Sequence, residues 1–255
     1  MPRFALQIEY DGSGFVGWQR QATGRSIQQV LEEAAAKLVG GMAVTSIVAG
    51  RTDAGVHAEG QVASLDLERD MEPAKLVDAL NFHLKPHAIA VLRAAVAPEG
   101  WNPRFSAIGR EYRYVILDRR SRPALAAGRV WHVSRRLDAP AMHAAAQHLL
   151  GRHDFTSFRA SACQAKSPIR TLDRLDVSRE GDLIVVRAAA RSFLHHQVRN
   201  MVGTLKLVGD GSWPAARLVA TLAACNRAAA GPTAPPQGLA LVSVRYPDDI
   251  FGADG

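Results

Sequence analysis

Strand and helix patterns follow one another in the same order twice along this chain, and that doubled order leaves few folds open. Residues 3–10 alternate Phe4, Leu6, Ile8 and Tyr10 with Arg3, Gln7 and Glu9, the period of a half-buried strand. A loop, DGSGFVGWQRQATGR, leads to a helix that Ser26 and Gln29 open as a capping box. Ile27, Val30, Leu31, Ala34 and Leu38 share one face of it, and Gly40 ends it. Strands near 43–49 and 61–67, a helix from Pro73 to Leu84 and a strand at 88–96 complete a β-α-β-β-α-β order.

The second half repeats the plan with one added helix. After a turn-rich link at 97–109 come a strand at 110–118, a helix over 138–150 and a hairpin turning at Glu180, Gly181 and Asp182. A helix carrying Val198, Met201, Val202, Leu205 and Val208 follows, then another from about Pro214, and GLALVSVRYP closes as a strand. At 255 residues the chain can bury two modest cores. The expectation is an α+β fold of two βαββαβ-like halves, residues 1–103 and 104–255. They join as one mixed, mostly antiparallel sheet, with helices on one face and a cleft on the other.

Charge narrows the partner. Lys and Arg number 31 against 24 Asp and Glu, a net +7, and the pI is near 9.9. A GC-rich genome explains much of the arginine count but not the imbalance, which points to an anionic partner and a basic cleft. Arginine supplies most of the cations, and a guanidinium suits phosphate and base stacking. No GxxxxGK[ST] occurs, and no nucleotide cofactor is called for. Cys163 and Cys225 lack metal or disulfide spacing. The adjacent His195 and His196 would diverge on a helix, so no metal site is expected. The start of the chain alternates instead of forming a signal peptide, and no stretch approaches a spanning length, so a cytoplasmic protein without a membrane partner is expected.

Chemistry concentrates in AGRTDAGVHAEGQVASLD, residues 49–66. A strand-like run ends at Gly50, and Arg51, Thr52 and Asp53 follow at once, with Ala54 and Gly55 completing a turn. Asp53 reads either as a turn cap or as a carboxylate aimed into a cleft. Arg110, Tyr112 and Tyr114 share one face of their strand, where rings serve equally for stacking on bases or for packing under a helix.

GRTDAGVHA at 50–58, YDGSGFVGWQRQ at 10–21, RFSAIGREYRY at 104–114, DFTSFRA at 154–160 and HHQVRNMVG at 195–203 together resemble the bacterial tRNA pseudouridine synthase A (TruA) family. The matches keep family order over nearly the whole chain. The resemblance implies the pseudouridine synthase fold, a homodimer, no cofactor, and isomerisation of uridine at positions 38, 39 and 40 of the tRNA anticodon stem-loop. It makes Asp53 the catalytic carboxylate, Arg199 its ion-pair partner and Tyr112 the ring that stacks on the target uracil. Arg199 on spacing alone reads as a solvated arginine.

Arg51, two residues before Asp53, is better placed to engage RNA than to pair with it. Arg20, Arg25, Arg110, Arg159 and Lys166 are candidates for phosphate binding, each equally readable as a solvated charge. His57, His195 and His196 are read as bracing residues. Two rivals are a tRNA-binding module without catalysis and a cofactorless hydrolase using Asp53. The first conflicts with the intact RTD loop taken together with Tyr112 and Arg199, and the second with the charge and the RNA-family motifs.

Overall fold

The structure is a computed structural model that describes residues 1–252. It is α+β, and the chain forms two compact units. One comprises Met1–Ile108 together with the chain from Leu241 onward; the other is Gly109–Ala240. The closing strand thus counts mainly with the first unit, where sequence patterning had placed it with the second half.

The first unit keeps the expected order: β1 (Arg3–Tyr10), α1 (Ile27–Leu38), β2 (Ser46–Val48), β3 (His57–Asp66), α2 (Pro73–Leu84) and β4 (Ile89–Val96). Its strands lie in the order β4-β1-β3-β10, where β10 is Leu239–Arg245. β1 runs antiparallel to both β3 and β4. β3 divides its free edge: Ala63 to Leu65 pair with β2, while Gly60 lies so near β10 that an added Cβ would stand 2.4 Å from the Val242 carbonyl. The returning chain packs Val244, Tyr246, Ile250 and Phe251 on a core of Ala5, Ala49, Val62 and Trp101.

Local signals account for the helix ends. Ser26 Oγ accepts from Gln29 N–H at 3.1 Å, which caps α1. Among the described residues the reciprocal half of the expected capping box does not form; the Gln29 amide nitrogen donates to Glu33. Val39 caps the other end, and Gly40 and Gly41 follow at φ 67° and 90°.

The second unit comprises β5 (Gly109–Leu117), β6 (Trp131–His132), α3 (Ala139–Gln147), β7 (Gly151–Asp154), β8 (Ile169–Glu180), β9 (Leu183–Ala190), α4 (Gln197–Gly209) and α5 (Ala215–Ala223). β5-β9-β8-β7 form an antiparallel run, and the short β6 lies parallel to β5. Asp138 caps α3 through Ala141 N–H, and α3 packs on β8 and α4. The residues assigned to the apolar face of α4 are all buried. Among the described residues no helix is long and apolar enough to cross a membrane.

Candidate active site

The Asp53 loop is built by interactions that reach it from both sides in sequence. Thr52 is buried, and its Oγ1 lies 2.7 Å from the Tyr10 hydroxyl at the end of β1. The Thr52 carbonyl accepts from Trp18 N–H at 3.0 Å, and the Gly50 carbonyl accepts from the buried Gln61 amide at 2.8 Å. Asp53 itself closes a tight turn, its carbonyl accepting from Val56 N–H at 3.1 Å, with Gly55 at φ 75° in the left-handed region that favours glycine. The residues flanking the carboxylate are therefore fixed on one side by β1 and the 11–18 loop and on the other by β3.

Two of the three glycines of YDGSGFVGW serve that approach. A Cβ on Gly12 would stand 2.0 Å from the Val56 carbonyl, and one on Gly17, at φ 103°, would stand 2.7 Å from the Thr52 carbonyl. His57 begins β3, and its Nδ1 accepts from Gly12 N–H at 3.1 Å with Asp11 Oδ1 3.2 Å away. That engagement is the geometry of a brace between the two loops. Asp53 is half-buried and Arg51 exposed, and Arg51 has no hydrogen bond or ion pair among the described residues.

Burial pushes the Tyr10 phenol up to about 12, against the opposing pull of its bonds to Thr52 and Gln61. It therefore stays protonated, as a neutral hydrogen-bonding group must at this depth. Sequence reading singled out Asp53 and Arg51 but not Tyr10, Thr52 and Gln61 as a unit.

In the second unit Tyr112 is half-buried on β5 and meets Phe193 edge to face, with ring centroids 5.2 Å apart. That arrangement holds an aromatic plane. Phe193 was missed, although it stands two residues before the HHQVRN motif. Tyr114 is wholly buried, donates to the Pro235 carbonyl at 2.8 Å and so serves packing. Burial raises its pKa far above the ordinary phenol value, against the opposing pull of the Arg199 cation.

Arg199 lies in the first turn of α4, half-buried, and its Nε donates to the Ala234 carbonyl at 2.8 Å. Asn200 behind it is fully buried; it donates to the Phe158 carbonyl and accepts from Thr233 and Arg227. The DFTSFRA segment, α4 and the 227–234 segment are joined through that one amide. His195 and His196 precede the helix instead of lying on it. His196 adopts φ 62°, and the two rings lie 4.0 Å apart, so the helical divergence expected of this pair does not apply.

The candidate phosphate cations differ in their surroundings. Arg20 donates to Glu32 at 3.1 Å, and Arg25 contacts His87 at 2.9 Å with Glu33 3.8 Å away. Arg110 is only 8% exposed and donates to the Arg191 carbonyl, which makes it a brace for the segment after β9. Arg159 is half-buried and Lys166 exposed, both on the segment that leads into β8.

Residues 6–106 and 145–247 match the family described as tRNA pseudouridine synthase. A protein of Acidiphilium cryptum is 67% identical over 252 residues, covering 98% of this chain and 99% of its own length. One from Mesorhizobium japonicum is 59% identical over 249 residues, covering 97% of this chain and 100% of its own. One from Methylobacterium nodulans is 56% identical over 255 residues, with 100% of both covered. All three are named tRNA pseudouridine synthase A.

Proposed function

We propose a function from the premise that this chain belongs to the tRNA pseudouridine synthase family. It is an isomerase that converts uridine to pseudouridine in tRNA. Its targets are uridines 38, 39 and 40 of the anticodon stem-loop, and Asp53 is its essential carboxylate. The observation that carries the role of Asp53 is the over-determined loop, tied through Thr52, Gly50 and His57 to β1, β3 and the 11–18 loop.

The reaction breaks the bond between C1′ and N1, turns the uracil within the site and joins C5 to C1′. N1 gains a proton and C5 loses one, so atoms and electrons balance without a redox partner. Asp53 attacks C1′ or C6, or takes the 2′ proton; each route requires its ionised form. Arg199 supplies the counter-charge that offsets desolvation of that carboxylate beneath a base.

A stem uridine must leave the stack to reach any side chain, at a cost of a few kcal/mol. Tyr112, held by Phe193, stacks on the extruded uracil and retains it while it turns; such stacking contributes about 1–3 kcal/mol. Arg51 holds the extruded nucleotide, and Arg20, Arg25, Arg159 and Lys166 contact the backbone. Cytoplasmic location and assembly as a homodimer belong to the same reading; sedimentation of the pure chain tests the assembly.

The deciding experiment uses unmodified tRNA carrying uridines at 38 to 40 and tritium at uracil C5. Wild type releases tritium, while Asp53→Asn releases it at least about 100-fold more slowly and still binds. Binding without release by the wild type would overturn the reading in favour of a non-catalytic tRNA-binding protein.

A further inference from the structure

The second unit carries a concentration of positive charge that none of the roles above uses. A cavity of about 300 Å3 is lined by Arg152, Ile169, Arg170, Thr171, Arg191 and Ser192. Strand register brings these residues together. Arg152 on β7 pairs with Thr171 on β8, His153 pairs with Arg170, and Arg191 directly follows Ala190, which pairs with Leu172. The backbone of Arg191 is held in turn by Arg110, whose guanidinium donates to its carbonyl at 2.6 Å.

Three guanidiniums around one cavity repel one another unless something anionic sits among them. Among the described residues none of the three pairs with a carboxylate. Arg170 spends one nitrogen on the carbonyls of Ser167 and Ile169, at 3.0 and 2.6 Å, while its Nε is buried with no hydrogen-bond partner. An unpartnered buried donor on a cation is costly, and an incoming oxyanion supplies what is missing. Burial also lowers the Arg170 pKa, opposed only by the nearby Cys163 thiol, as expected of a cation short of counter-charge. Thr171 and Ser192 add hydroxyl donors at the rim.

We propose that this cavity is a phosphate subsite in which Arg152, Arg170 and Arg191 hold one phosphodiester of the RNA backbone. The assignment rests on the tRNA reading for the identity of the polymer, but the anion chemistry stands on the three arginines. The subsite fixes the RNA without reading its sequence, since a phosphate carries no base identity.

The test compares the full-length wild type with Arg170→Gln, Arg170→Lys and Arg152→Ala, measuring tRNA affinity against salt and tritium release against tRNA concentration. Arg170→Gln weakens tRNA binding about tenfold at low salt, with the loss appearing in KM. Its salt slope falls by about 0.7–0.9, the share of one phosphate contact. Arg170→Lys recovers the slope but only part of the affinity, because an ammonium lacks the planar fork. Arg152→Ala, at an exposed position, shows the same direction without the risk to folding.

Wild-type affinity and slope in both Arg170→Gln and Arg152→Ala would overturn the subsite while leaving the enzyme reading intact. A wild type that neither binds tRNA nor releases tritium would instead sink the premise. A parallel arm titrates inorganic phosphate against chloride at equal ionic strength. If phosphate raises the thermal midpoint of wild type but not of Arg170→Gln, and the tRNA slopes do not differ, the cavity takes free phosphate and the RNA assignment fails.

Discussion

At the scale of single residues, Tyr10 shows how the loop before Asp53 is held. Its hydroxyl accepts from Gln61 at 3.3 Å and shares a 2.7 Å bond with Thr52, all three side chains being buried. Tyr10→Phe removes one oxygen and leaves two buried polar groups short of a partner. The expected cost is about 1–3 kcal/mol of stability, read in denaturant unfolding. Turnover should fall as well, because Thr52 immediately precedes Asp53; an unfolding shift with unchanged tritium release would show that Thr52 does not position the carboxylate. The RTD motif made Asp53 and Arg51 legible. The Tyr10–Thr52–Gln61 cluster was not, because its members stand 42 and 51 residues apart and no local period marks a long-range hydrogen bond.

At the scale of elements, the 11–18 loop and the Asp53 turn lie flush because Gly12 has no side chain. Gly12→Ala would drive a methyl into the Val56 carbonyl and force the two loops apart, whereas a Cβ at Gly14 would meet nothing within 4 Å. Tritium release should therefore fall about tenfold or more in Gly12→Ala, from a strain of roughly 1–3 kcal/mol, and stay near wild type in Gly14→Ala. Equal rates in the two variants would refute the close-approach argument. Sequence patterning located the helices well, since Ser26 and Asp138 are caps and the apolar faces repeat at helical spacing. It began β3 four residues late. That strand is buried on both faces from His57 through Leu65 except at Glu59, so the alternation that marks a half-buried strand is missing. β6 has two residues and β7 reads GRHD, too short and too polar to carry a pattern.

At the scale of the whole molecule, both units hold carboxylates that favour ionisation on folding. Arg3 holds Asp66 below the ordinary 3.8 through a bidentate pair. Burial pushes Asp118 up, but two bonds from Arg179, the Leu137 N–H and the nearby Arg136 outweigh it and leave the net shift downward. Asp210 is likewise pushed up by burial and brought below its ordinary value chiefly by Lys206 and Ser212. A depressed folded pKa contributes stability that is fully present above 3.8 and is lost as pH falls through the folded value. Acid unfolding should steepen below that point. Asp118→Asn should cost about 1–3 kcal/mol at neutral pH, with the deficit shrinking as acid protonates the wild-type group. A deficit constant across the acid range, followed by circular dichroism, would contradict the linkage. The division of the chain has a consequence in time as well. The first unit takes its last strand from the end of the sequence, so a ribosome that has already released Met1–Ile108 must still translate all of Gly109–Ala240 before β10 emerges. At about 5–20 residues per second that is a wait of roughly 7–26 s. Throughout it the Gly60 stretch of β3 has no β10 beside it, so the part of the protein born first is finished last.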